Sequence, residues 1–113
     1  MKHIVAIIQP ERLSEVKEAL FQAEITKMTI MRVKGCGQQM GYESSYRGQV
    51  RKVNLLDKIR IGLVVREELV ELTIKAIVKG AKTGTIGDGK IFVMDMIDCV
   101  RIRTGERGDD AIG

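Results

Sequence analysis

Residues 59–96 read IRIGLVVREELVELTIKAIVKGAKTGTIGDGKIFVMDM, and this stretch decides the fold. Residues 59–65 form a short apolar run rich in β-branched side chains, which predicts a strand. Residues 69–79 carry apolar side chains at helical spacing, and residues 91–96 return to the strand pattern. The helix offers four residues to the core: Leu69, Leu72, Ile77 and Val78. The stretch therefore predicts a β-α-β unit.

The first third of the chain repeats this order. Residues 3–9 alternate into an apolar strand, and Pro10 stops it and opens a helix. Leu13, Val16, Leu20 and Ala23 recur at three- and four-residue spacing, so this helix is amphipathic. A β-branched run over residues 26–33 predicts the next strand. Two successive β-α-β units predict an α+β, ferredoxin-like fold, in which an antiparallel sheet carries both helices on one face.

Such an arrangement leaves the second face of the sheet bare. Strand 59–65 offers apolar residues toward both faces, since Val64 lies out of phase with Ile61 and Leu63. A bare apolar face is typical of a subunit interface. The sequence therefore predicts that a partner subunit covers it.

Length and composition limit the possible functions. The 113 residues fit a single domain over 1–113, and 44% hydrophobic with 30% charged residues is ordinary for a soluble protein. Cys36 and Cys99 lack metal-ligand spacing, so reduced thiols in a cytoplasmic protein are expected. No apolar run is long enough for direct membrane insertion. The net charge of +4 could suit nucleic acid, but two Tyr and two Phe supply no basic aromatic platform, so no nucleic-acid partner is expected.

The segment from Gly84 to Lys90 almost spells a phosphate-binding P-loop. Gly84, Gly89 and Lys90 satisfy G-x-x-x-x-G-K, but Ile91 stands where a hydroxyl for Mg²⁺ belongs. A helix leads in and a strand leads out, which reverses the order of a P-loop. Free backbone N–H groups beside a cation can still hold phosphate. Taken alone, the segment fits a phosphate site and a plain helix-to-strand turn about equally.

A second anion-competent cluster follows at Arg101-Ile102-Arg103-Thr104-Gly105. On an extended segment Arg101 and Arg103 share one side, because alternate residues share a face. Two forked guanidiniums suit an anionic ligand, although charges that protect an edge strand would look the same. Two such clusters in one small domain favour a polyphosphate.

The segment between Gly35 and Leu56 is too long for a simple hairpin and predicts a functional excursion. Its start contains Gly35, Cys36 and Gly37 for close backbone approach to a ligand, and Gln39 adds a donor and an acceptor. Its middle places Tyr46 and Arg47 at a tip that suits contact with another protein.

Several motifs together resemble the PII family of nitrogen-regulatory signal transduction proteins, over essentially the whole chain. They are Lys34-Gly35-Cys36-Gly37, Tyr46-Arg47-Gly48, Lys82-Thr83-Gly84, Gly87-Asp88-Gly89-Lys90-Ile91-Phe92-Val93 and Arg101-Ile102-Arg103-Thr104-Gly105-Glu106. The resemblance implies a ferredoxin-like homotrimer with nucleotide sites between subunits. It also implies a long T-loop at about 37–56, a B-loop at about 82–90 and a C-terminal loop at about 101–113.

The resemblance assigns ligand roles. Gly87, Gly89 and Lys90 would hold the phosphates of ATP or ADP, and Arg101 and Arg103 would reach in from the neighbouring subunit. Gly35, Cys36 and Gly37 would line the same cleft by backbone, with Thr29 near the adenine.

In the family, 2-oxoglutarate binds alongside Mg²⁺ and ATP. The metal would take oxygen ligands from the phosphates, the keto acid and Gln39, and Lys58 would pair with the distal carboxylate. Tyr46 and Arg47 would contact the target, which the family implies is an ammonium transporter or a nitrogen-metabolism enzyme.

Some positions depart from the family pattern. Arg51 replaces the modifiable T-loop tyrosine and Gln49 the serine that some members phosphorylate, so control by ligands alone is expected. Gly62 and Gln38 replace a frequent glutamate and arginine near the nucleotide. They bear on how ATP and ADP are told apart.

A non-enzymatic sensor is the leading functional prediction. The rival is a weak ATPase that uses the same inter-subunit cleft, but the sequence places no carboxylate or histidine to activate water. Asp88 would repel phosphate and is expected to point outward, and His3 opens the first strand. A small RNA-binding domain is a third class, and the lack of strand aromatics argues against it.

Overall fold

A computed structural model describes residues 1–36, 42–46, 49–53 and 55–113, with the backbone alone for 42–46 and 49–53. Over these residues the fold is α+β, a four-stranded antiparallel sheet with three helices, as the sequence predicts. The sheet consists of β1 (Lys2–Ile8), β2 (Thr29–Gly35), β5 (Leu56–Val65) and β6 (Gly89–Asp95) in the order β2-β5-β1-β6. The two halves of the chain thus interleave at the central pair β1 and β5.

The first two helices follow their strands through a single 3-10 turn each. Pro10–Arg12 leads into α1 (Leu13–Gln22), and Glu67–Leu69 leads into α2 (Val70–Ala81). Pro10 suits this position because its missing N–H would lack a helical partner anyway. The predicted helix starts are confirmed, and both helices end within two residues of the predicted bounds.

One side of the sheet packs under α1 and α2 to form the core. Ile4, Ala6 and Ile8 of β1 are buried there against Val16 and Ile77 from the helices. Leu69 packs against the same cluster, as predicted. The prediction for Leu72 and Val78 was wrong, since each is 43% exposed. The buried stripe of α2 runs through Thr73, Ala76, Ile77, Gly80 and Ala81.

The other side of the sheet, here called the open face, carries the alternate residues. Val5 and Ile7 lie on it because their neighbours Ile4, Ala6 and Ile8 face the helices. Met31, Phe92 and Met94 share this face by strand register and are each 43–49% exposed. Large apolar side chains on one sheet face match the predicted bare surface.

The long excursion contains regular structure. Strands β3 (Tyr42–Tyr46) and β4 (Gln49–Val53) pair antiparallel with each other, in a sheet separate from the main one. Residues 37–41, 47, 48 and 54 lie outside the described part of the chain. Beyond β6 the chain turns twice and ends in α3 (Asp109–Ile112), which the periodicity did not predict. In the described parts of the chain, the helices are all too short or too polar to span a bilayer.

Candidate functional site

A cavity of about 590 Å³ opens where the carboxyl end of β1 meets the starts of β5 and β6. Its polar lining comes from four separate segments: Gly35 and Cys36, Lys58, Gly87, and Gly89 with Lys90. Apolar walls are added by Ile7, Leu56, Ile86 and Phe92. We call this space the lysine cavity. Six residues that the sequence assigned to nucleotide or 2-oxoglutarate therefore share one site-sized space.

The two lysines of this cavity are held differently. The Lys58 ammonium donates to the Gln9 side-chain oxygen at 3.1 Å and to the Gly87 carbonyl at 3.2 Å. These bonds tie β5 to the glycine-rich loop. Lys90 is exposed, and its side chain makes no hydrogen bond or ion pair within the described part of the chain. The Lys90 ammonium is thus available to an incoming anion. Sequence reasoning missed Gln9, a polar residue directly after an apolar strand.

Glycines shape the loop between α2 and β6. Gly84, Gly87 and Gly89 all have positive φ, at +89°, +102° and +107°. At Gly89 a Cβ would lie 1.7 Å from the Ile7 carbonyl oxygen, so only glycine fits against β1. The close contact between this loop and β1 therefore requires glycine at position 89.

Asp88 organises this loop from inside. Its carboxylate accepts hydrogen bonds from the backbone N–H of Thr83 at 2.8 Å and of Gly84 at 2.9 Å, and from the Thr83 hydroxyl. The Thr83 hydroxyl, followed by these N–H groups, lowers the pKa of Asp88. Asp88 lines a smaller cleft beside α2 and not the lysine cavity. Asp88 was expected to point outward; its carboxylate instead bonds back onto its own loop, outside the lysine cavity, and this role was missed.

A second space of about 690 Å³ lies at the opposite end of the open face, and we call it the arginine cavity. Thr29 and Arg101, both assigned to nucleotide, line it together with His3, Arg60 and Gly62. The two cavities have separate linings, although Ile7 of the first and Arg60 of the second are cross-strand partners. Within one chain, Thr29 and Arg101 are therefore separated from Gly87 and Lys90.

The prediction of an extended Arg101–Arg103 pair was wrong. Residues 102–104 form a turn that the Gly105 N–H closes on the Arg101 carbonyl at 2.7 Å. The positive φ of Gly105 permits this reversal. The Arg101 guanidinium pairs with Glu106 at 3.0 Å and donates to the Asp110 and Ala111 carbonyls. Arg103 is exposed and does not line either cavity.

Several predicted residues cannot be placed. Gly37, Gln39 and Arg47 lie outside the described residues, and Tyr46 is described by its backbone in β3 alone. In the described ranges, no three His, Cys, Asp or Glu side chains form a metal-binding group. Both cysteines are free thiols, with Cys36 at the rim of the lysine cavity.

Comparison with known proteins decides the family. The sequence model of the family described as Nitrogen regulatory protein P-II matches residues 1–106. The chain belongs to the nitrogen regulatory protein P-II family. It is 54% identical to P-II 1 of Methanothermobacter thermautotrophicus over 112 residues, which cover 99% of this chain and 97% of that one. It is also 51% identical to P-II of Rhodospirillum rubrum, over 99% of this chain and 100% of that one.

A solved P-II structure shares the architecture. Arabidopsis thaliana PII bound to citrate superposes with a TM-score of 0.79 at 35% identity, covering 98% of this chain and 88% of that one. The nitrogen-regulatory P-II assignment and the fold predicted from the sequence are both confirmed. That relative binds a small carboxylate, which fits a ligand-sensing role for P-II proteins.

Proposed function

We propose that this P-II chain is a non-enzymatic, cytoplasmic sensor of nitrogen, carbon and energy status. It binds ATP or ADP, and 2-oxoglutarate together with Mg²⁺. The T-loop at 37–56 then transmits the bound state to an ammonium transporter or a nitrogen-metabolism enzyme. The observation that carries the proposal is the lysine cavity, because six of the assigned ligand residues line it.

The lysine cavity suits phosphate by its chemistry. Lys90 contributes an ammonium that has no partner among the described residues, and the glycine-rich loop brings the backbone close at Gly87 and Gly89. No carboxylate from the described residues lines the space to repel an anion. Gly35 and Cys36 border the cavity by their position at the end of β2. We assign the nucleotide phosphates to this cavity.

Lys58 is the residue we assign to the distal carboxylate of 2-oxoglutarate. Its ammonium is held at the cavity by hydrogen bonds to the Gln9 side-chain oxygen and the Gly87 carbonyl, so a carboxylate there would meet a positioned cation. The Mg²⁺ assignment rests on Gln39 and on oxygens of the ligands themselves, which match the hard-oxygen preference of the ion. Bound Mg²⁺ would neutralise charge between phosphate and keto acid.

A homotrimer would complete each site. The open face carries exposed Met31, Phe92 and Met94, and both cavities open on it. A neighbour seated there would bring Thr29, Arg101 and Arg103 toward the lysine cavity of the first subunit. A large exposed apolar surface is typical of a subunit interface, and heterologous contacts that close into a ring would bury it in a trimer.

A ligand bound in the cavity would signal by shifting the populations of the T-loop conformations. The excursion leaves the main sheet directly after Gly35 and Cys36, which border the cavity. Tyr46 and Arg47 are the proposed target contacts. Arg51 and Gln49 stand at the usual modification positions, so ligands alone would set the loop state.

The alternative is slow ATP hydrolysis in the same cleft. Asp88 would be the base to consider, but its carboxylate is engaged with Thr83 and Gly84 outside the lysine cavity. This geometry favours a binding protein over an ATPase. Nucleotide turnover at a rate comparable to signalling would favour the enzyme instead.

Calorimetry with Lys90→Ala tests the nucleotide assignment. Loss of one charge-assisted contact should weaken ATP binding about 10- to 100-fold. Lys17→Ala on α1 is the control, because Lys17 lies outside both cavities and should leave ATP binding within twofold. Equal affinity of Lys90→Ala and the unchanged protein would overturn the assignment.

A further inference from the structure

The arginine cavity is lined by several basic side chains, of which Arg101 is paired with Glu106 and Arg60 has no acidic partner among the described residues. Arg60 is half-buried, and its described side-chain contact is a weak one, 3.9 Å to the Met31 sulfur. His3 and Lys27 line the same space without a side-chain partner in the described part of the chain. No Asp or Glu of the described residues lines the cavity. Because Arg60 has no acidic partner among the described residues, its guanidinium is available to an incoming anion.

Gly62 makes the room for that anion. Its φ is not positive, and a Cβ there would meet only the tips of Arg60 at 3.5 Å and His3 at 3.6 Å, which is ordinary contact. Neither backbone conformation nor packing therefore requires glycine at this position. The missing side chain leaves a gap between a guanidinium and an imidazole, on the floor of the cavity.

Strand register places this gap directly beside one proposed nucleotide contact, Thr29. Gly62 is the direct cross-strand partner of Thr29, and Arg60 lies two residues along β5 on the same face. Arg101 lines the cavity as well. If Thr29 approaches the base and Arg101 the phosphates, as the proposed function has it, the ribose passes beside Gly62 and Arg60.

We propose that the arginine cavity, where it meets the lysine cavity of a neighbouring subunit, holds the ribose of adenine nucleotides that carry an additional phosphate on that ribose. The ribose phosphate would occupy the gap at Gly62 and pair with the Arg60 guanidinium, with His3 beside it. Forked guanidinium donors match phosphate oxygens. This inference rests on the proposed function and adds a ligand class to it.

Competition calorimetry with adenosine 2′,5′-bisphosphate, adenosine 3′,5′-bisphosphate and AMP tests the proposal, with ADP as the reference ligand. At least one bisphosphate should bind tenfold or more tightly than AMP, and the two isomers identify the ribose position. Arg60→Gln should remove this preference, so that neither bisphosphate binds the variant more tightly than AMP does. Gly62→Glu should reverse it, because a carboxylate would fill the gap, for which the backbone has space.

Arg32→Gln is the matched control. Arg32 lies on neighbouring β2 but pairs with the buried Ile59, so it is on the opposite face from Arg60. Arg32→Gln should leave every affinity unchanged.

If ADP binds and neither bisphosphate binds more tightly than AMP, the inference is wrong and the proposed function stands. If ADP itself does not bind, both the inference and the proposed function are contradicted. Should Arg60→Gln fail to fold, Gly62→Glu decides alone, since an unchanged bisphosphate preference in that variant would contradict the proposal.

Discussion

Gly89 is a single residue on which the shape of the candidate site depends, because it lets the glycine-rich loop contact β1. Its φ of +107° is strained for any other residue, and a Cβ would collide with the Ile7 carbonyl. We expect Gly89→Ala to lower the free energy of unfolding by about 3 kcal/mol or more, because strain and overlap add. Urea denaturation at fixed protein concentration measures this loss.

Gly84→Ala is the matched control for that experiment. Gly84 also has a positive φ, at +89°, but nothing lies within 4 Å of its Cβ position. Gly84→Ala should therefore lower the free energy of unfolding only by the cost of a left-handed backbone at alanine, about 1–2 kcal/mol. Equal losses in the two variants would show that contact with β1 does not hold the loop.

Asp88 gives the loop a pH dependence. Its pKa is lowered below the usual 3.8, mainly by the Thr83 hydroxyl. A lowered folded-state pKa means that the stabilisation is complete above the usual value and is lost as the pH falls through the native one. The Tm gap between the protein and Asp88→Asn should thus be full at pH 7 and shrink below about pH 4. A constant gap from pH 7 to 3 would contradict this role.

The sequence predicted residue types at the site better than their orientations. Gly35, Gly89 and Lys90 were found from the sequence pattern and their chemistry, whereas Lys58 was assigned through the family resemblance. All four line the lysine cavity. Arg101 and Arg103 were misjudged because alternation assumes an extended backbone, whereas Gly105 closes a turn. The hydrogen bonds of Asp88 depend on a loop shape that spacing alone does not reveal.

At the scale of elements, the contact between α1 and α2 depends on Gly80. A Cβ there would lie 2.5 Å from the Val16 Cα, so the helices approach at their backbones. The Arg12 guanidinium also donates to the Gly80 carbonyl at 2.9 Å. Helix propensity favours Ala by about 1 kcal/mol, but overpacking costs about 1–3 kcal/mol.

We expect overpacking to win, so Gly80→Ala should be less stable by about 1–2 kcal/mol in urea denaturation. The neighbouring Lys79 is exposed, and Lys79→Ala should change stability by less than about 0.5 kcal/mol. A more stable Gly80→Ala would mean that the helices can separate without loss.

Periodicity predicted every strand and helix of the main sheet and its two packed helices, with errors at the ends. The strand predicted over 26–33 lies at Thr29–Gly35. The predicted start was too early because β-branched Thr26 fits the strand pattern. Leu72 and Val78 were placed in the core because α2 is apolar over more than one face. The paired β3 and β4 lay inside a polar stretch without a clear alternation.

At the scale of the whole molecule, the open face governs assembly. Light scattering should give about three times the 12.6 kDa chain mass. Phe92→Glu should break this assembly, because a charge would be buried at the interface. Leu72→Glu is the control, since Leu72 is 43% exposed on a helix and should leave the mass unchanged. A stably folded monomer of the unchanged chain would contradict the trimer.

The central claim is that nucleotide, metal and keto acid share the lysine cavity. The most direct test is calorimetric titration of 2-oxoglutarate with and without Mg-ATP, since a shared site makes the two bindings mutually dependent. We predict clear 2-oxoglutarate binding with Mg-ATP, little without it, and loss of that binding in Lys58→Ala while ATP still binds. Equal binding of 2-oxoglutarate in the absence of nucleotide, or an unaffected Lys58→Ala, would contradict the account.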